Sequence, residues 1–500
     1  MLRVLLGLLF ASLAAACSDE RSFPSDFRFG TAVAGFQVDM GCPTIPAAEC
    51  EDRRSDWYAY VTSTAAIAKS QTHLSGDPVT NGPGFFELYE ADLDRAKDLG
   101  LTAFRFSLEW SRIFPESTAG LSGYDALKAK ADPAALTFYH ALLSALKARG
   151  LKPLVTLHHY TLPAWIHDGA GCTLDFEHCH PRGWLEPTIV EEIAKYAGFA
   201  AQEFGAEVDE WATLNEPMAV VIPGFLFPTP SRTNPPAQLL QTEAAKTALL
   251  AMIHAHARMV DAVRENDRVD ADGDGKPTFI GIVYPVAPVR PKDPENPLDV
   301  RAATNISYIY NDVFMNAVLK GSLDAALTGK GEVQADLVDR ADYLGLNYYF
   351  KVVVVGAEDS FLPAFSPLLT FDPLELEQGA MDPEGLYDVL IKLKETYPAT
   401  PILITENGAD QAIAGGQDAF MVAHLKSLLR AMHRGGVDVR GYFWWSLMDN
   451  YEWNQGTGMK FGLFGVDPGD KTKARTRRPA ADRLQSIARD RRLAGDLGPL

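Results

Sequence analysis

Eight strand-like runs, each followed by a run of helical period, predict an α/β fold closed into a (β/α)8 barrel. Two further observations favour closure over a doubly wound open sheet. No glycine-rich phosphate loop follows the first strand. No linker-like tract or solenoid-length repeat divides the 500 residues. The predicted architecture is a TIM barrel, a single domain with long loops over the C-terminal face of its strands.

Phe27 to Val33 opens the series as a strand that Ala34-Gly35 ends. Glu87 to Leu99 carries apolar residues at helical spacing and is closed by Gly100. Thr102 to Leu108 is the second strand, followed by a helix from Pro133 to Arg149 that stops at Gly150. Lys152 to His158 and Val208 to Asn215 are strands on either side of a helix from Thr188 to Phe204. A long helix is predicted from Ala237 to Glu265, then a strand from Thr278 to Tyr284 and a helix from Thr304 to Lys320. Strands Asp342 to Tyr348, Thr400 to Glu406 and Val439 to Ser446 complete the set, with helices Glu384–Thr396, Gln417–Arg434 and one from Arg478 onward. The Pro/Gly-rich segments Ser75–Gly84, Phe225–Pro236 and Asp359–Pro383 read as loops around the barrel mouth.

Composition is that of an ordinary globular chain, 47% hydrophobic and 22% charged, with a formal charge of −19. Such acidity disfavours nucleic acid and anionic membranes as partners and suits a neutral ligand. The N-terminus resembles an export signal: Arg3, an apolar run from Val4 to Leu13, then Ala14-Ala15-Ala16. Residues 1–16 are read as a cleaved leader and 17–500 as the mature domain. Leu13-Ala14-Ala15-Ala16-Cys17-Ser18 is similar to a lipoprotein signal, which would place a lipid on Cys17. The expected location is therefore outside the cytoplasm, periplasmic, secreted or anchored.

Apart from Cys17 the cysteines form two local pairs, Cys42 with Cys50 and Cys172 with Cys179. Each pair flanks a short loop, as a disulfide staple would in an oxidising compartment. The rival reading is a metal site, because His178 and His180 bracket Cys179, but no C-x2-C spacing supports it. Asp270, Asp272 and Asp274 fall in a D-x-D-x-D-G pattern that could hold a structural calcium. Residue twelve of that pattern is Gly281 rather than glutamate, so the alternative is a solvated Asp-Gly turn. No cofactor is otherwise called for.

Functional side chains of such a barrel project from the C-terminal strand ends. Here those positions hold Gln37, Arg105, His158-His159, Asn215-Glu216, Asn347-Tyr348-Tyr349, Glu406 and Trp445, with Glu452-Trp453 in the loop beyond. Glu216 is followed by Pro217, which predicts an extended residue at the strand end. Glu406 precedes Asn407-Gly408, a pair that breaks strands. Two carboxylates on rigid strands, amid amides, imidazoles and indole faces, are what glycoside hydrolysis requires. Trp444 alternates with Trp445 and should face the helix layer, as packing only.

At these residues the chain resembles glycoside hydrolase family 1, the β-glucosidase family. The resemblance runs through Phe29-Gly30-Thr31-Ala32 with Gln37, Arg105-Phe106-Ser107, Trp110-Ser111-Arg112-Ile113 and Thr156-Leu157-His158-His159. It continues through Thr213-Leu214-Asn215-Glu216-Pro217, Gly345-Leu346-Asn347-Tyr348-Tyr349, Thr405-Glu406-Asn407-Gly408 and Trp445-Ser446-Leu447 to Glu452-Trp453. Asp56-Trp57-Tyr58 and Asn81-Gly82-Pro83-Gly84 look closest to the archaeal-type branch.

The resemblance implies Glu406 as nucleophile and Glu216 as acid/base, with retention of configuration and carboxyl groups about 5–5.5 Å apart. It implies support from Arg105, Asn215 and Tyr349, and sugar contacts from Gln37, His159, Asn347, Trp445, Glu452 and Trp453. It also implies a cis bond between Trp445 and Ser446. Glu452 stands where phosphosugar-cleaving members have serine, so neutral β-glucosides or β-galactosides are the expected substrates. Asp39 replaces a glutamate usual in the family. The alternatives are a transglycosylase on the same site and a catalytically silent sugar-binding protein.

Overall fold

The computed structural model describes residues 20–379 and 381–493, so the leader-like stretch and Cys17 lie outside the described residues. Eight parallel strands close into a barrel: β1 Arg28–Ala32, β2 Ala103–Ser107, β3 Lys152–His158, β4 Glu210–Asn215, β5 Phe279–Pro285, β6 Tyr343–Tyr348, β7 Ile402–Asn407 and β8 Val439–Trp445. Each strand pairs with its neighbours in sequence, and β8 returns to β1 with Trp445 opposite Ala32. The central strands β2, β4, β6 and β7 are buried along their whole length. That is why they read as apolar runs rather than alternating ones.

The outer layer holds α1 Phe85–Asp98, α2 Pro133–Arg149, α3 Ile189–Phe204, α4 Thr242–Asn266, α5 Pro297–Ser307, α6 Val313–Lys320, α7 Pro383–Thr396, α8 Gln417–His433 and α9 Pro479–Asp490. The ends of α2 show the local logic. Asp132 accepts from the Ala134 amide, Pro133 fills the first turn, and Gly150 closes the helix at φ 68°.

Two helices differ from the sequence expectation. The helix predicted from Ala237 begins at Thr242, because Ala237 and Leu240 hold φ of 52° and 55° and keep the chain out of the helical region. The helix predicted from Thr304 starts earlier, at Pro297, where the Asn296 side chain accepts from the Leu298 amide at 3.0 Å. A π-helical turn, Tyr308–Asp312, then separates α5 from α6.

Both local disulfides are present, Cys42–Cys50 and Cys172–Cys179, so those thiols are not metal ligands. His178 pairs instead with Asp175 at the surface. The Asp270–Gly275 loop sits at the N-terminal face, beside the starts of β3 and β4. Asp270 accepts from the amides of Gly273 and Gly275, and Asp274 from that of Lys276. The acidic oxygens that approach one another belong to Asp209, Asp270 and Asp272, without Asp274. Lys152 Nζ lies 2.5 Å from Asp272 and 2.7 Å from Glu210, placing an ammonium beside one of those three carboxylates. The loop is an Asp-Gly turn tied by its own amides, and one of its carboxylates, Asp272, pairs with Lys152.

Candidate active site

The C-terminal ends of the strands converge on a cavity of about 640 Å3 whose lining includes His159, Glu216, Asn347, Tyr349, Glu406, Trp445, Glu452 and Trp453. β7 delivers Glu406, which is 4% exposed. Arg105 from β2 forms an ion pair with Glu406 Oε1, and Tyr349 donates to Oε2 at 2.7 Å. Gly408 secures the end of β7. Its φ is not positive, so the strand-breaking role read from sequence is not what holds it; a Cβ there would lie 2.1 Å from the Trp445 carbonyl oxygen.

Glu216 follows β4 directly and departs from expectation. It is not extended but left-handed, with φ 49° and ψ 63°. Its amide still bonds the Val283 carbonyl of β5 at 2.9 Å, while Pro217 already opens a short helix, Pro217–Val221. A strand-to-helix turn that abrupt needs a conformation the residue-before-proline rule does not anticipate. Asn347 Nδ2 donates to Glu216 Oε1 at 2.8 Å, and the Tyr160 hydroxyl donates to Oε2.

One hydrogen-bonded chain joins the two glutamates. From Glu406 it passes to Arg105, whose Nη2 donates to Asn215 Oδ1 at 2.7 Å. Asn347 Nδ2 donates to the same oxygen at 3.2 Å and to Glu216. Asn347 Oδ1 accepts from Thr405 on β7 at 2.8 Å, and Asn215 Nδ2 donates to His159 Nε2 at 3.0 Å. Every member is buried, so each bond also satisfies a group that would otherwise be costly to desolvate.

Burial pushes the Glu406 carboxyl up to about 7; Arg105 opposes this and the nearby charge of Glu216 adds to it. The full cation touches Glu406 and not Glu216, whose carboxyl group meets only neutral donors. Burial and the Arg105 charge hold His159 well below the ordinary imidazole range. It is a neutral hydrogen-bonding ring, stacked 5.9 Å from Trp445 and 5.8 Å from Trp453.

The floor is built by Gln37 and Glu452. Gln37 Nε2 donates to Glu452 Oε2 at 2.9 Å and to Asn450 at 3.2 Å. Gln37 Oε1 and His159 Nδ1 are buried without a protein partner, as hydroxyl-binding atoms would be. Trp453, at φ 48°, stacks on Phe36. The Trp445–Ser446 bond is cis. Trp444 packs outward against Phe420 of α8, and His158 is a core ring against Trp184, held neutral by burial at about 3.

Two residues of the site carry no signal in the sequence. Tyr160 follows the His158-His159 pair, yet nothing in the local pattern marks it. Arg232 lies inside the loop Phe225–Pro236, a segment without periodicity. Its guanidinium is 3.4 Å from Glu452 Oε1 and 5.6 Å from the Tyr160 ring centroid, and its Nη1 is buried without a partner. The Glu452 anion therefore has a counter-charge, which offsets the repulsion expected from sequence against phosphosugars.

The chain is similar to known proteins over most of its length. The sequence model of glycosyl hydrolase family 1 matches residues 19–493. The chain is 34% identical over 490 residues to a β-galactosidase of Pyrococcus woesei, covering 89% of this chain and 93% of that protein. It is 28% identical over 470 residues to β-glucosidase A of Thermotoga maritima, covering 89% and 94%. Among solved structures it is similar to the β-glycosidase of Thermosphaera aggregans, with a TM-score of 0.80 and 30% identity over 95% of this chain and 98% of that one. Two glutamates joined through a buried arginine and two asparagines, on a barrel matched from end to end, establish that the chain belongs to glycosyl hydrolase family 1.

Proposed function

We propose that the protein is a retaining β-glycosidase that removes the non-reducing terminal sugar of neutral β-glucosides or β-galactosides. The observation that carries this reading is the asymmetric pair, Glu406 against a guanidinium and Glu216 against neutral donors. Glu406 attacks the anomeric carbon while the bond to the leaving oxygen breaks and Glu216 supplies that oxygen with a proton. In the second step Glu216 takes a proton from water, whose oxygen displaces Glu406 from the sugar. No cofactor enters either step. Gln37, His159, Glu452 and the two indoles supply the hydroxyl and ring-face contacts of the sugar.

Export is part of this proposal. The two disulfides support folding in an oxidising compartment, in agreement with the leader-like N-terminus. The test of the chemistry is Glu406→Gly with an aryl β-glycoside, followed by added azide. Turnover should fall by more than about a thousandfold, and azide should then yield a product of inverted anomeric configuration. Undiminished hydrolysis in that variant would remove Glu406 from its role.

A further inference from the structure

The cavity does not end at the sugar pocket. Beyond Glu216, on the side where the leaving group must lie, it continues over the end of β5 and between the helices that follow β4 and β5. Its wall there is mostly hydrocarbon, from Ile222 and Leu226, Leu249 of α4, Ile306 of α5, Ile309, and Leu362 from the loop before α7, with Tyr310 and Gln378 as polar members. Two π-helical turns, Ile222–Leu226 and Tyr308–Asp312, each contribute wall residues. Such widened turns recur at functional sites.

From these residues we infer that the site takes β-glycosides with a long hydrocarbon aglycone, rather than a second sugar. This rests on the glycosidase reading above and deepens it. A sugar in the same chamber would find few donors and acceptors, and most of its hydroxyls would face hydrocarbon and lose their hydrogen bonds to water. The tryptophans that lie in the cavity wall, Trp445 and Trp453, both stand at the sugar end, so no indole platform awaits a second ring.

The rim agrees with the interior. Leu374 is 91% exposed, and its neighbours Pro373 and Leu376 line the chamber. Exposed Leu239 and Leu240 lie on the segment before α4, where the Leu240 amide bonds the carbonyl of wall residue Leu226 at 3.0 Å. An exposed leucine beside an apolar chamber suits a substrate with a hydrocarbon tail.

The experiment begins with β-glucosyl and β-galactosyl fluoride, whose leaving group is a single atom and needs no chamber. Turnover of either reports the two-glutamate chemistry and identifies the sugar; turnover of neither overturns the glycosidase reading itself. The matching n-alkyl β-glycosides, butyl to nonyl below their micellar concentrations, then probe the chamber. We expect kcat/KM to rise by about two- to fourfold per methylene, and the nonyl-to-butyl ratio to fall at least tenfold in Leu362→Asp and in Ile309→Trp. The first variant charges the wall and the second fills it; melting curves identify either one that fails to fold. A flat or falling alkyl series in the wild-type protein, with a fluoride still turned over, overturns the hydrocarbon assignment and leaves the glycosidase standing.

Discussion

The Tyr160 hydroxyl donates to Oε2 of Glu216, opposite the Asn347 amide on Oε1. Tyr160 is itself left-handed, at φ 71°, and its ring lies 4.7 Å from Trp453, so it is held from both ends. Burial raises its hydroxyl well above the ordinary phenol range, which keeps it a donor throughout the working pH. This makes Tyr160 a positioning residue for the proton donor. Tyr160→Phe should lower kcat/KM by about tenfold for alkyl glycosides, the worth of one such hydrogen bond. The loss should be under about threefold for a dinitrophenyl glycoside, whose leaving group departs without a proton. Equal losses on both substrates would show a packing defect instead.

The pair Arg105–Glu406 sets the acid side of the pH profile. Glu406 must be ionised to attack, and burial has raised it to about 7 in the free protein. The acid limb of kcat/KM should therefore lie well above the ordinary glutamate value, with activity falling as pH drops through it. Arg105 acts in the opposite sense, since its charge favours the anion. Arg105→Met should move the limb upward by about one pH unit or more while also lowering kcat. A limb that stays in place would show that the arginine orients the carboxylate without tuning it.

The barrel and the strand-end glutamates are legible in sequence because each rests on a short-range signal. A β-branched or apolar run stops at a breaker, and the side chain before the breaker reaches the rim. Glu406 lies where that logic puts it, although Gly408 secures the strand end by its close approach to the Trp445 carbonyl and not by a positive φ. Glu216 reaches the rim for a different reason from the one its sequence suggests, since its backbone turns left-handed at the residue before proline. Arg232 and the chamber wall are not legible. They come from loops and from two π-helical turns, whose positions depend on what packs against them. Asn347 reads as a sugar contact, yet its amide bridges Glu216, Asn215 and Thr405, an arrangement that only the assembled barrel shows.

Arg232 bears on sugar binding rather than on chemistry. Its guanidinium faces Glu452 Oε1, while Gln37 holds Oε2, so the Glu452 carboxylate is fixed between a cation and an amide. Burial raises the Glu452 carboxyl, and Arg232 is the strongest influence in the opposite direction. Arg232→Met should raise KM for a neutral glycoside by about tenfold with kcat changed by less than about threefold. The outcome that would sink this reading is an unchanged KM with a depressed kcat.

A cluster beneath the sugar pocket ties stability to pH. Glu109, fully buried, accepts from Ser107 Oγ at 2.8 Å and from Thr161, and burial lifts its carboxyl to about 7. Asp39, 3.3 Å from Arg112, is raised to about 7 for the same reason, and Asp52 adds repulsion to both. Folded-state values above the unfolded ones mean that the native protein binds more protons than the unfolded chain between about pH 4.5 and 7. The sign is then fixed: the contribution of these groups is fully present below that window and is lost as pH rises through it. Glu109→Gln removes one such titration while keeping the shape. It should narrow the fall in stability between pH 5 and pH 8 by about 1–3 kcal/mol, measured by urea unfolding at the two pH values. A fall as steep as that of the unmodified protein would show that Glu109 stays ionised in its buried place, with Arg112 carrying the charge.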